Sequence, residues 1–178
     1  MNKTLVIYKS NYGSTEQYAK WIAASLNADL LNHSKVKKDT FSEYNTIIYG
    51  GGLYASSING ISVINKNLEL IKNKNIIIFT VGLSKTTDNK IFEPIISKIF
   101  DTNEIDKIKF FHLRGGINYK KLNLLHKTMM ALLHKTMLNK DEDTLSSDDK
   151  LILKTYGKEI DFSNVETILP LVKYVETL

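Results

Sequence analysis

Six consecutive residues, Ser10-Asn11-Tyr12-Gly13-Ser14-Thr15, gather hydroxyl and amide side chains around one glycine directly behind an apolar run at 4–8. A loop between a buried strand and a helix N-terminus offers backbone N–H groups and the positive end of the helix dipole, both suited to a phosphate. The loop has neither the Gly-x-x-x-x-Gly-Lys of triphosphate sites nor the Gly-x-Gly-x-x-Gly of dinucleotide sites. Neutral donors would therefore surround the anion, a design that suits a monophosphate. The competing reading of the same residues is an ordinary capped helix start.

Three later segments could bring backbone close to a ligand, because glycine removes the side chain that would hold it away. They are Gly50-Gly51-Gly52-Leu53-Tyr54-Ala55, Val81-Gly82-Leu83-Ser84 and Gly115-Gly116-Ile117-Asn118-Tyr119. Plain turns would use the same glycines. The hexapeptide Leu-Leu-His-Lys-Thr-Met occurs twice, at 124–129 and 132–137, and places His126 and His134 eight residues apart. That spacing is not one helical turn, so no metal pair is expected and both read as surface histidines. Asp141-Glu142-Asp143 and Asp148-Asp149 lack a metal-loop pattern and read as helix-start charges. The chain has no cysteine, which excludes disulfides, thiolate metal sites and a cysteine nucleophile, so redox chemistry would need a cofactor. No metal site is expected, and no residue is assigned to catalysis.

The elements that must position these residues follow from hydropathy. Continuous β-branched and aliphatic runs at 4–8, 46–49 and 75–81 read as strands buried on both faces, with shorter strands at 28–31 and 107–113. Ser14 and Gln17 predict an N-cap, with Tyr18, Ile22 and Leu26 at helical spacing up to Asn27. Further helices are expected around 64–72, 91–100, 148–156 and after Ser163. Alternating βα units close stably as a parallel sheet with helices on both faces, and such sheets bind ligands at the carboxyl ends of their strands. All the glycine-bearing loops fall at that edge.

From 118 to 140 the pattern predicts a helix, with Leu122, Leu125, Met129, Leu132, Leu133 and Met137 as an apolar stripe beside Lys121, Lys127, Lys135 and Lys140. The stripe is either buried core with a solvated lysine face, or a face for an apolar ring or membrane interface with lysines meeting lipid headgroups or substrate carboxylates. The 178 residues fit a single domain, 1–178, with 118–147 as a basic amphipathic helical insert. A net charge of +5 favours an anionic partner. Lysines scattered along one helix without interleaved stacking aromatics argue against nucleic acid. The apolar run after Met1-Asn2-Lys3 is too short for a signal-peptide core and no stretch reaches the roughly 20 apolar residues of a membrane span, so a cytoplasmic location is expected.

The run Val6-Ile7-Tyr8-Lys9-Ser10-Asn11-Tyr12-Gly13-Ser14-Thr15-Glu16-Gln17-Tyr18-Ala19-Lys20-Trp21-Ile22 resembles the flavodoxin family, whose signature is strand, aromatic, Ser/Thr-x-x-Gly-x-Thr, then alanine and an aliphatic residue. The resemblance implies a flavodoxin-like α/β fold: a doubly wound five-stranded parallel sheet, helices on both faces, and here a helical insert after the fifth strand. It implies FMN as cofactor. Ser10, Asn11, Tyr12, Gly13, Ser14 and Thr15 would wrap its phosphate. Gly52, Leu53, Tyr54 and Ala55 with Gly82, Leu83 and Ser84 would flank the isoalloxazine ring, Tyr54 against its face or packing the loop.

Gly115-Gly116-Ile117-Asn118-Tyr119-Lys120-Lys121-Leu122 and Gly157-Lys158-Glu159-Ile160-Asp161-Phe162 are similar to the flavodoxin-like menaquinone-dependent protoporphyrinogen oxidase branch, although Asn118 stands where that branch carries arginine. This adds Gly116, Asn118 and Tyr119 to the expected cofactor site. It implies an oxidoreductase that passes electrons from a reduced tetrapyrrole to a quinone, with peripheral contact at the inner membrane face through 118–140. The alternative is an electron-transfer flavodoxin without its own substrate, serving a redox partner protein; such carriers tend to be acidic.

Overall fold

The computed structural model describes residues 3–54, 57–84, 93–97, 100 and 108–178. Strands β1 (Thr4–Lys9), β2 (Asp29–Asn32), β3 (Thr46–Tyr54), β5 (Asn75–Gly82) and β6 (Ile108–Arg114) form a parallel sheet in the order β2-β1-β3-β5-β6. The order reverses beside β1, as the doubly wound plan requires. A two-residue strand, β4 (Ser57–Ile58), turns back antiparallel on the end of β3.

Alternation along the strands divides the core in two. Leu5, Ile7, Ile47, Tyr49, Ile76 and Ile78 pack on one face with Ile64 and Ile71, which come from the one-turn helices α2 (Ser62–Asn65) and α3 (Leu68–Ile71). Val6, Ile48, Ile77, Phe79 and Val81 pack on the other with helix α1 (Ser14–Ser25). The expected helix over 64–72 is thus two turns broken at Asn67, whose side chain donates to the Val63 carbonyl at 2.7 Å and ends the first turn. Of the helix expected at 91–100 the described part is α4 (Glu93–Ile96). Ala55, Lys107 and the rest of 91–100 lie outside the described residues, apart from residues 97 and 100.

Helix α1 starts differently from the sequence expectation. Gly13, at φ 103°, is the N-cap and no side chain caps the helix, so Ser14 is its first residue rather than its cap. At the far end Asn27, at φ 48°, takes the left-handed position that closes the helix, with Ala28 N–H on the Ala23 carbonyl at 2.9 Å.

The insert also departs from one continuous helix. Residues Gly116–Asn118 form β7, which pairs antiparallel with β8 (Glu159–Asp161), so the two ends of the insert meet in a short ribbon. Helix α5 (Leu124–Leu138) begins only after Asn123, whose side chain accepts from His126 N–H at 2.8 Å. Helix α6 (Ser147–Thr155) starts in a capping box between Ser146 and Asp149, which assigns the acidic pair to a helix start. The Ser146 N–H donated to the Asp149 carboxyl, with Lys140 at 3.2 Å, holds that carboxyl below its usual range.

Helix α7 (Leu169–Glu176) returns to the sheet and buries Leu171, Val172 and Val175 beside α1. Tyr18, fully buried, fastens this arrangement: its hydroxyl donates to the Arg114 carbonyl at 2.7 Å and accepts from Asn164 N–H at 3.1 Å and the Thr167 hydroxyl at 3.4 Å.

Gly50 and Gly51 serve this core. A Cβ at Gly50 would overlap the Phe79 ring, and one at Gly51 would collide with Ile58 and the Asn59 carbonyl. Changing Gly50 to Ala should lower unfolding stability by about 1–3 kcal/mol, the cost of overpacking. Denaturant titration checks this, and an unchanged midpoint would contradict the packing.

Candidate functional site

The loops after β1, β3, β5 and β6 converge at the carboxyl edge of the sheet. In the first, Gly13 N–H donates to Ser10 Oγ at 3.0 Å, and the Gly13 φ of 103° turns the chain into α1. Nothing lies within 4 Å of the position a Gly13 Cβ would take. Ser14 Oγ accepts from Gly116 N–H at 3.4 Å, which joins the loop after β6 to the helix start. Gly115 permits that approach, because a Cβ there would meet Val81 and Ser14. Since Ser10 and Ser14 accept through oxygen, each keeps a hydroxyl hydrogen to donate. Thr15 is buried.

These observations fit a phosphate held by neutral donors. An uncapped twelve-residue helix, an open position at its cap and flanking hydroxyl hydrogens form a cradle with no competing carboxylate in the loop.

The second loop is tied to the first. Asn11 Oδ1 accepts from Asn59 Nδ2 at 3.1 Å, and Asn11 also hydrogen-bonds Tyr54. The Tyr54 ring folds back over Gly52, where a Cβ would lie 2.8 Å from the ring. Burial, and secondarily the neighbouring Tyr12, push the Tyr54 phenol above its usual range. The third loop is anchored to β6 and the residue after it: Gly82 O accepts from Gly115 N–H at 2.7 Å and Leu83 O from Arg114 Nε at 3.0 Å. The Arg114 guanidinium lies 3.6 Å from the centre of the Phe162 ring.

Residues 10–15, 52–54, 82–84 and 116 therefore come together. Asn118 and Tyr119 are used elsewhere. Asn118 Oδ1 accepts from Lys120 N–H at 3.0 Å and caps its own turn. Tyr119 meets Tyr156 edge-on at 5.1 Å, and its hydroxyl is buried without a hydrogen-bond partner among the described residues.

Sequence patterns missed the part played by α5. His126 is hydrogen-bonded through Nδ1 to the Tyr12 hydroxyl and stacks on the Tyr54 ring at 5.0 Å, 15° from parallel. Asn123 N–H donates to the same Tyr12 hydroxyl at 3.4 Å. One repeat further on, His134 stacks on Tyr156 at 3.9 Å. The two histidines are half-buried docking residues rather than free surface groups. The helix docks through His126, Met130, His134 and Met137, and the leucines face outward: Leu124 is 81% exposed, Leu125 and Leu132 66%. Of the expected stripe only Leu122 and Met137 are core. The repeated hexapeptide was the available signal, since a histidine recurring on one helix face marks a face with a common task.

Replacing Tyr12 by Phe removes the hydroxyl shared by His126 and Asn123. Amide exchange in the first turns of α5 should quicken by the equivalent of about 0.5–1.5 kcal/mol, with the sheet amides unchanged. Equal exchange in both proteins would mean that α5 is held by other contacts.

A family model described as Flavodoxin domain matches residues 5–145. An uncharacterized protein of Methanocaldococcus jannaschii is 35% identical over 113 residues, which cover 60% of this chain and 66% of that one, just short of two thirds of its length. Among solved structures, oxidised flavodoxin 2 from Bacillus cereus is 18% identical with a TM-score of 0.47, covering 63% of this chain and 84% of that one. A flavodoxin from the domain Archaea is 16% identical with a TM-score of 0.40, covering 67% and 87%. With residues 10–15 and four of the five strands of its parallel sheet inside the matched region, and the family model spanning most of its length, the chain belongs to the flavodoxin domain family.

Proposed function

We propose that this protein is an FMN-binding oxidoreductase of the protoporphyrinogen-oxidase-like branch, passing electrons from a reduced tetrapyrrole to a quinone. The observation that carries this reading is the docking of α5 onto Tyr12 and Tyr54 at the loop edge. A carrier that serves other proteins needs an open cofactor edge and a docking charge opposite to its partner's, whereas here a fifteen-residue helix is fastened across that edge on a chain of net charge +5.

Ser10, Gly13, Ser14 and Thr15 would hold the phosphate through hydroxyl and backbone donors. Gly52, Leu53 and Tyr54 would flank one side of the ring, and Gly82, Leu83 and Ser84 the other. FMN held there would supply reversible two-electron chemistry between a reduced substrate and a quinone. The chain's own contribution is positioning and exclusion of water, with the aromatic pair Tyr54 and His126 at the outer edge of the site.

The outward face of α5 supports a lipid-facing role for the same helix. Residues 124–138 contain no carboxylate, and Lys127 and Lys135 flank the exposed leucines. Among the described residues no helix is long and apolar enough to cross a membrane, so the contact proposed is interfacial.

Three measurements test this reading. Fluorescence titration should show FMN binding, and Thr15→Val should weaken it by about 1–3 kcal/mol if that hydroxyl meets the phosphate. Anaerobic mixing of the FMN-loaded protein with protoporphyrinogen should bleach the flavin absorbance, and a menaquinone analogue should restore it with porphyrin fluorescence appearing. Flavin that binds but stays oxidised would favour an electron carrier instead. In flotation with phosphatidylglycerol vesicles the protein should rise with the lipid, and the pair Lys127→Glu and Lys135→Glu should abolish this; equal recovery with neutral vesicles would contradict an anionic surface as the partner.

A further inference from the structure

His112 lies in β6 directly opposite Thr80 of β5, two strand positions from the loop end. Its imidazole is hydrogen-bonded on both sides: Nδ1 to Thr80 Oγ1 at 2.8 Å and Nε2 to the Ser84 carbonyl at 3.1 Å. A carbonyl oxygen only accepts, so Nε2 carries the hydrogen; in the neutral ring Nδ1 then accepts from the Thr80 hydroxyl. Burial pushes the imidazole below its ordinary range, against smaller raising effects from the Ser84 bond and the Asp148 charge, so the neutral form is the one present at pH 7.

The space for this ring is made by Gly82, where a Cβ would lie 3.2 Å from His112 Cε1. Together with Gly115 N–H on Gly82 O and Arg114 Nε on Leu83 O, the bond from His112 makes three successive carbonyls of one loop acceptors to donors on β6 and the residue after it. The first two donors are a backbone amide at the strand end and a guanidinium stacked on Phe162. Only the third uses a group whose tautomer must be set, and Thr80 sets it. Neither Thr80 nor His112 touches the phosphate loop in any hydrogen bond described above. Their common product is the placement of Ser84.

We propose that His112 is a positioning residue of this site: as the Nε2–H tautomer fixed by Thr80, it clamps the Ser84 carbonyl to the sheet and holds the 82–84 loop in the shape that receives the flavin ring. The step that involves flavin rests on the function proposed above; the clamp itself does not.

The test has two readouts. In protein carrying ¹⁵N-labelled histidine and no added flavin, the His112 ring nitrogens should show one protonated Nε2 and one unprotonated Nδ1, unchanged from pH 8 down through the range where free histidine titrates. Averaged tautomers, or protonation of both ring nitrogens within that range, would overturn the clamp whether or not the protein binds FMN. Flavin titration then reads the consequence. His112→Leu, which keeps bulk and removes both bonds, should weaken FMN binding about tenfold. His112→Gln, whose amide can donate to Ser84 and accept from Thr80, should restore most of the loss and return the visible flavin spectrum to that of the parent. If Leu and Gln bind FMN equally well, or both lose it equally while remaining folded, His112 fills space and does not position the loop. Failure of the parent protein to bind FMN, with the tautomer fixed as stated, would instead count against the proposed function and leave the clamp standing.

Discussion

Parallel pairing brings β1, β3, β5 and β6 to an end at one edge, with Lys9 opposite Gly51, Gly52 opposite Val81 and Gly82 opposite Arg114. Strands buried on both faces cannot offer a ligand anything along their length, since both sides are filled by Leu5, Ile7, Ile47 and their neighbours or by Val6, Ile48 and Ile77. The chemistry must therefore sit where the ladder stops and the backbone turns away. Everything that distinguishes this protein is built on that edge: the turn at Gly13, the hydroxyl-rich start of α1, the tied carbonyls of 82–84, and the close passage of Gly115 over Ser14.

The insert shows how one helix can be fastened by its less apolar face. Helix packing is ordinarily driven by burial of an apolar stripe. In α5 the docked side carries His126, Met130, His134 and Met137, and the gain comes from ring stacking, a tyrosine hydroxyl bond and thioether packing. The ribbon of β7 and β8 brings together the two ends of the insert that carries α5. Solvated leucines carry a cost in water that only a further partner can remove.

The fold was legible in the sequence because buried parallel strands are continuous apolar runs and their ends carry glycine. Four of the five strands lie where those runs lie, within a residue, whereas β3 runs five residues past the expected 46–49 because Gly50–Gly52, expected as a loop, stay in the ladder opposite Phe79–Val81. What escaped the sequence was set by contacts between distant segments. Asn67 splits a periodic stretch by bonding Val63, and Gly13 rather than Ser14 caps α1 because the turn needs a positive φ. The leucine stripe of 122–137 has helical spacing whichever way it faces, so periodicity alone could not say that His126 and His134 turn inward. His112 carried no signal at all: a single histidine near a strand end looks like any other until Thr80 and Ser84 are seen on its two nitrogens.

Tyr18 has a consequence that concerns the order of events in folding. Its hydroxyl bonds residues 96, 146 and 149 positions further along the chain. During synthesis Tyr18 leaves the ribosome 149 residues ahead of the last of these partners. Until Arg114 emerges the phenol has none of these partners, and until Thr167 emerges its set is incomplete. Closing loops of such length is entropically slow compared with local pairing. The native state is therefore joined, at one oxygen atom, between α1 and the segment that leads into α7, and a nascent chain that stops before Thr167 lacks the means to complete that junction.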